Sequence, residues 1–229
     1  NQTVAKLPAE EILAWGLEAF GSRVAIATSF GAEDVVLMDM ASKAAPGIRV
    51  FTLDTGRLHQ ETYEVMDEIK DRYALSIEVC FPEMESLASM ISEHGHNLFY
   101  KDSSLRQLCC KVRKVEPLRA KLSELDAWIC GLRQEQSMTR NNICRIEGDH
   151  ANGLFKINPL MDWSHQDVWD YIKKHKVPYN RLHDKGFPSI GCAPCTRPVR
   201  MCEEVRAGRW WWEDPEKKEC GLHTNAISK

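Results

Sequence analysis

The sequence predicts an α/β protein with an open, mostly parallel twisted sheet and helices on both faces. Short apolar runs at Val24–Thr28, Ile48–Leu53 and Leu75–Cys80 read as buried strands. The stretches between them are long enough for helices, and the first two runs end in Gly- and Asp-containing loops. This βαβαβ alternation puts ligands at the carboxyl ends of the strands.

Each element follows in order. Ser29-Phe30-Gly31 breaks the first strand, and a helix from Ala32 to Met40 carries Glu33 and Asp34 in its first turn. Asp54-Thr55-Gly56 ends the second strand, and a helix follows from about Leu58 to Tyr73. Leu105, Leu108, Val112, Val115 and Leu118 fall on one helical face, which Pro117 should kink or restart. Ala127–Leu132 and Leu154–Ile157 read as further strands, and Ser164 caps a helix running to about His175. Beyond Pro178 the chain is rich in Gly, Pro, Cys, Arg and Trp and loses its periodicity, the pattern of a functional or mobile segment.

At 229 residues the chain has the length of one domain, 1–229, with a core over about 12–200 and a mobile tail over about 201–229. A net charge of -3 gives no overall basic field for nucleic acid, and no apolar run is long enough for a membrane helix. The first residues lack a starting Met and a signal-type apolar stretch, so the start is expected to be trimmed. Nine cysteines in a long α/β chain favour metal or redox chemistry in a reducing cytosol over a disulfide scaffold. Cys80, Cys130 and Cys144 sit in apolar, strand-like surroundings and read as small core residues; Cys202 has no assigned role.

Chemistry concentrates at three places. Ser29-Phe30-Gly31-Ala32-Glu33-Asp34 joins a strand to a helix, where backbone N–H groups can hold an anion and Gly31 permits close approach. An ordinary strand–helix turn would look the same, and the Gly-x-x-x-x-Gly-Lys pattern of common ATPases is absent. Leu53-Asp54-Thr55-Gly56-Arg57 places more polar groups at the same rim. Together the two loops resemble those of the PP-loop (adenine nucleotide α-hydrolase-like) superfamily. The second place is Cys109-Cys110 with Cys192-x-x-Cys195, a thiolate set suited to zinc or to an iron–sulfur cluster. Adjacent cysteines are awkward around one small ion, which favours [4Fe–4S]. Lys114 lies four residues after Cys110 on the same helical face, where it could sit by the cluster or hold a sulfate or phosphate; a solvated basic face is the alternative. The third is Cys220 in Glu-Cys-Gly-Leu-His, set apart from the other four as a nucleophile beside His223.

Five segments in order then carry a specific resemblance: Leu108–Leu118, Gly131–Arg140, Pro188–Arg197, Arg206–Glu213 and Glu219–His223. They look like assimilatory adenylyl-sulfate (APS) reductases, over about Ile12 to Asn225. Relatives that use 3′-phosphoadenylyl sulfate (PAPS) share the tail but typically lack the four cluster cysteines, so the resemblance implies the APS-using branch with a [4Fe–4S] cluster on Cys109, Cys110, Cys192 and Cys195. It implies Cys220 as catalytic nucleophile, forming an S-sulfocysteine and releasing AMP, with thioredoxin then releasing sulfite. It also implies a nucleotide site around Ser29, Phe30, Gly31, Leu53, Thr55, Gly56, Arg57 and Gly131. Lys114, Arg140, Arg206, Arg209 and His223 would meet phosphate and sulfate, since guanidinium forks match tetrahedral oxyanions. Trp210-Trp211-Trp212 would serve as an anchor or lid, as core, or as a partner surface. A separate thioredoxin, a homo-oligomer and a bacterial cytoplasm complete the expectation. The rival readings are a PAPS reductase, a PP-loop iron–sulfur tRNA thiolation enzyme and a zinc-stabilised binding module.

Overall fold

The computed structural model describes residues 4–136, 143–200 and 202–213. Its elements run α1 (Ala9–Phe20), β1 (Val24–Thr28), α2 (Ala32–Ala44), β2 (Arg49–Leu53), α3 (Gln60–Tyr73), β3 (Ile77–Cys80), α4 (Met84–His94), α5 (Ser103–Cys110), α6 (Glu116–Leu122), β4 (Ala127–Ile129), β5 (Ile146–Asp149), β6 (Leu154–Ile157) and α7 (His165–His175). The six strands form one sheet in the order β3-β2-β1-β4-β6-β5. β1 pairs in parallel with β2 and β4, and β4 with β6, while β5 runs antiparallel at the edge. Ile26 is level with Val50 on one side and Ile129 on the other. Sequence order therefore reverses between β1 and β4, and the loops leaving these two strands stand at the switch point where open α/β sheets bind ligands.

The chain divides into two compact units: Asn1–Thr52, Glu61–Glu78 and Leu122–Asn180 in the first, Leu53–Gln60, Val79–Lys121 and Arg181–Lys229 in the second. The first has an apolar core of Ile26, Val50, Ile129 and Ile157 from the strands with Ile12, Leu13, Leu37, Ile69 and Ile172 from the helices. α2 is buried on most of its faces, which is why its sequence shows a continuous apolar run in place of a stripe. The core of the second unit is smaller, built from Met90, Leu98, Phe99, Val112 and Trp210 around four cysteines.

The helix expected across 105–118 is present but broken. α5 ends at Cys110, residues Lys111–Val115 form a π-helical turn, and α6 restarts at Glu116. Pro117 can neither donate to nor fit against the carbonyl of Arg113, so the wider turn falls just before it. The strand expected to reach Leu132 stops at Ile129. Cys130 is buried as expected, but Cys144 is exposed, a correction: it precedes the edge strand β5 and has no layer above it. α1, α4 and β5 were not anticipated. α1 starts after Pro8 with Glu10 and Glu11 in its first turn, and α4 is capped by Glu83, whose carboxylate accepts the N–H of Glu85 and Ser86 at 2.9 and 2.6 Å.

Asp39 ties three helices of the first unit together. Its buried carboxylate accepts hydrogen bonds from Lys43 Nζ (2.6 Å), Tyr73 Oη (2.7 Å) and Tyr171 Oη (2.7 Å), joining α2 to α3 and α7. Burial alone would raise its pKa, but the bonds from Lys43, Tyr171 and Tyr73 outweigh it and hold it below the ordinary aspartate value. A depressed carboxylate stabilises above its unfolded pKa of about 4 and loses that contribution as pH falls through the lower folded value. Asp39→Ala should therefore lower stability by about 3 kcal/mol, a melting shift of roughly 6–12 °C at pH 7, by stranding the hydroxyls of two half-buried tyrosines. The gap between mutant and parent should narrow below about pH 4 in a thermal-melt pH series.

Candidate functional site

In the first unit, the loop after β1 closes on the carboxylate that begins α2. Asp34 Oδ2 accepts from Ser29 N (2.7 Å), Ser29 Oγ (2.9 Å) and Gly31 N (3.4 Å). Burial pushes the Asp34 pKa up to about 6, against the lowering effect of the Ser29 bonds. Phe30 turns through φ 59°, which lets its ring drop into the core while its N–H bonds Thr28 Oγ1 at 3.0 Å. Its share in the loop is thus its backbone. The loop after β4 comes in close: a Cβ on Gly131 would lie 2.6 Å from Asp34 Oδ1 and 2.8 Å from Glu33 Cβ. Arg133, buried beside it, donates to Glu33 (2.8 Å), Glu135 (3.1 Å) and the Trp163 carbonyl (3.2 Å). Ser29, Gly31 and Gly131 are thereby brought together at the switch point.

In the second unit, four buried cysteines share one apolar cluster: Cys109 and Cys110 at the end of α5, Cys192 and Cys195 in a short 3₁₀ turn. Thr55 Oγ1 lies 3.3 Å from Cys192 Sγ, and Arg57 O accepts Ala193 N at 2.8 Å. The 53–57 loop thus wraps the Cys-x-x-Cys knuckle, with Gly56 in the left-handed region at φ 68° and its N–H held by Asp54. Arg113 NH1 donates to Thr55 O at 2.5 Å, and Tyr100 Oη donates to Pro194 O at 2.7 Å. Arg57 spans His96 O and Asn97 Oδ1 above the Phe99 ring. Arg209 is buried, donates to Ser189 and the Ile190 carbonyl, and stacks 4.9 Å from the Trp210 ring centroid. Arg206, half-buried, accepts the Arg209 N–H through its carbonyl. Of the tryptophans, Trp210 is core, Trp211 exposed and Trp212 half-buried.

The four thiols perturb one another. Burial and the neighbouring Cys192 and Cys110 push Cys195 up to about 12, and burial raises Cys109 against the pull of Arg113. Burial would also raise Cys192, but Lys114, Thr55 and Arg209 overcome it and favour the thiolate. Lys114 is therefore placed at Cys192, and Arg106, missed in the sequence, hydrogen-bonds Cys110. Its signal was present: it precedes Cys110 by four positions on one helix. Arg133 and Asp34 were missed as site residues as well, since a charged side chain beside a motif reads as solvated surface. Arg140, Cys220 and His223 lie outside the described residues.

A model of the phosphoadenosine phosphosulfate reductase domain matches residues 23–198. The chain belongs to this family. An adenosine 5′-phosphosulfate reductase from Allochromatium vinosum is 52% identical over 200 residues, covering 87% of this chain and 78% of that one. Another from Burkholderia cepacia is 48% identical over 207 residues, covering 90% and 82%. A phosphoadenylyl-sulfate reductase from Candida auris superposes with a TM-score of 0.74 at 30% identity, covering 86% of this chain and 93% of that one. Among the described residues no helix is long and apolar enough to cross a membrane.

For this reductase-family chain the geometry at Gly131 makes a sharp prediction. Gly131→Ala must displace either the Asp34 carboxylate or the start of α2, since its Cβ would overlap both. The expected cost is about 1–3 kcal/mol, read as a lower urea midpoint with an unchanged slope.

Proposed function

We propose that this chain reduces adenylyl sulfate to sulfite and AMP, with thioredoxin as the electron donor and Cys220 as the nucleophile. The observation that carries the reading is the set of four buried, mutually perturbing thiols in one cluster, within a family whose members here include named adenosine 5′-phosphosulfate reductases.

The donor set suits a [4Fe–4S] cluster on Cys109, Cys110, Cys192 and Cys195. Burial and neighbouring cysteines push Cys195 and Cys109 toward the neutral thiol while Cys192 is drawn toward the thiolate, a conflict that binding of all four as thiolates to a metal centre would relieve. Nearby, Trp212 Nε1 is a buried donor with no partner among the described residues, as a sulfur acceptor would require. As they stand, no three or more His, Cys, Asp or Glu side chains among the described residues are set to hold a metal ion. Adjacent cysteines suit separate irons better than one small ion. When bound, the cluster supplies structural order and negative charge that anchors Lys114 and the buried arginines.

The chemistry belongs to the chain's own residues. The Cys220 thiolate attacks the sulfur of APS; an S–S bond forms, the S–O bond to AMP breaks, and the sulfonate stays on Cys220. A thioredoxin thiolate then attacks the Cys220 sulfur and displaces sulfite. The second thioredoxin thiol resolves the mixed disulfide, restoring Cys220, so both electrons come from the dithiol. Lys114, Arg140, Arg206, Arg209 and His223 would hold the phosphate and sulfate oxygens. Gly131, Ser29, Phe30 and Gly31 would line nucleotide. Leu53, Thr55, Gly56 and Arg57 are proposed for the same role; the Thr55 hydroxyl faces Cys192, so Thr55 would contribute its backbone. A homo-oligomer in a bacterial cytoplasm completes the proposal; both relatives named above are bacterial.

The test is peptide mass spectrometry of anaerobic protein mixed with APS and no thioredoxin. A sulfonate on the Cys220 peptide, discharged as sulfite by reduced thioredoxin, is the expected result; adduct formation with PAPS alone would move the substrate to PAPS, and none with either would remove Cys220 as nucleophile. Purified protein should carry about four iron and four sulfide per chain. Cys109→Ser should lose them, whereas Cys220→Ser should keep them and form no adduct.

A further inference from the structure

The second unit buries a carboxylate, Glu213, a short way from four sulfurs that metal binding would make anionic. Its side chain is only 6% exposed, and it is forked by Arg106, which has none of its surface exposed. Arg106 Nε donates to Oε1 at 3.0 Å and NH2 to Oε2 at 2.9 Å. Arg106 lies on α5, four residues before Cys110, and its guanidinium also hydrogen-bonds that cysteine. The Trp210 ring centroid is 4.7 Å from the same guanidinium. Trp210 N–H donates to Cys195 O at 3.1 Å, and Glu213 N–H donates to Trp210 O at 2.9 Å. Trp210 itself is held at φ 43°, a costly conformation for a bulky residue that only firm surroundings maintain. The pair thus bridges α5, with Cys109 and Cys110, to the segment hydrogen-bonded to the Cys192-x-x-Cys195 knuckle.

Arg113 faces Cys109, and Lys114 and Arg209 face Cys192. The cation at Cys110 reaches its sulfur already forked on a carboxylate, so it brings a donor to the sulfur with no net charge. That distinction has a consequence, because the potential of a thiolate-ligated cluster depends on nearby net charge and on hydrogen bonds to its sulfurs. A donor to sulfur, or a cation beside it, favours the more negative, reduced form. A carboxylate at the same place opposes that form.

We infer that Arg106 and Glu213 form a charge-neutral clasp on the metal ligand Cys110, in which the arginine orients the sulfur and the carboxylate keeps the site from gaining an electron. This rests on the [4Fe–4S] reading above. Under that reading both electrons of the reaction come from a dithiol, and a site that stays oxidised does not divert them.

The experiment compares Glu213→Gln, Arg106→Met/Glu213→Met and Arg106→Lys with the parent, all purified anaerobically and followed by the visible band during reductive titration. Glu213→Gln leaves Arg106 a hydrogen-bonding partner but removes the negative charge, so its midpoint potential should rise above the parent's. The double variant loses both charges and the donor to Cys110. Its potential should fall, and a chelator should strip its iron roughly tenfold faster. Replacing a buried ion pair by apolar side chains of similar length leaves stability near the parent's, so it should melt close to the parent. Arg106→Lys keeps the charge without the fork; its potential should lie between those of the double variant and the parent, and it serves if the double variant does not fold. If the parent resists every reductant, bleaching in Glu213→Gln alone is the expected result, and none in either overturns the inference. Potentials that stay at the parental value would also overturn it, as would shifts in the same direction in Glu213→Gln and the double variant, or iron loss that only follows melting temperature. A parent that binds no iron–sulfur cluster, or zinc in its place, would sink the cluster reading itself and the clasp with it.

Discussion

Positive charge buried beside sulfur is the constraint on which the second unit depends. Arg106, Arg113 and Arg209 are all buried, and an ion that is buried without partners costs several kcal/mol. Each has found acceptors of a different kind: a carboxylate at Glu213, the Thr55 carbonyl, and the Ser189 hydroxyl with the Ile190 carbonyl. Each also faces a cysteine, Arg106 toward Cys110, Arg113 toward Cys109 and Arg209 toward Cys192. The apolar cluster here is small, so the cation–sulfur contacts carry organisation that the first unit obtains from its large core. The cations of such a site would be best satisfied with the sulfurs anionic, as the proposed metal binding would make them.

The fold was legible where burial leaves an unambiguous trace. β1 and β2 are apolar on both faces, so they appear as runs bounded by Gly and Asp. β5 is a short antiparallel edge strand, Ile-Glu-Gly-Asp, half in solvent, and nothing in four such residues separates it from a loop. α4 buries Met90 alone, and its start depends on a Glu cap that resembles any surface acid. Pro117 announced an interruption, but where the backbone would widen depends on what α5 and the turn pack against. Cys144 went astray because an apolar neighbourhood in sequence says nothing of which layer will cover it.

The candidate site divides the same way. Thiol spacing is legible because few structural roles require Cys-Cys together with Cys-x-x-Cys. Side-chain direction is not. Thr55 follows β2, as a rim residue should, yet its hydroxyl turns onto Cys192 and its side chain is buried. Arg106 was hidden for the opposite reason: an arginine flanked by Leu105 and Gln107 on a helix is ordinarily solvated, and only the carboxylate at Glu213, distant in sequence, draws it inside.

The loop after β1 shows how a strand–helix junction can be specialised. The backbone amides of Ser29 and Gly31, which a free anion could take, already donate to the Asp34 carboxylate. A nucleotide phosphate would have to compete with an internal carboxylate for those donors, and above about pH 6 that carboxylate is charged. The junction is thus better suited to fixing the shape of the rim than to neutralising a phosphate. Gly131 supports the same view: without a side chain it lets the loop after β4 press against Asp34 and Glu33, and Arg133 then locks Glu33 in place. Under the proposed function, a rim shaped by these contacts would receive a neutral part of a ligand, such as a nucleoside, in place of a phosphate.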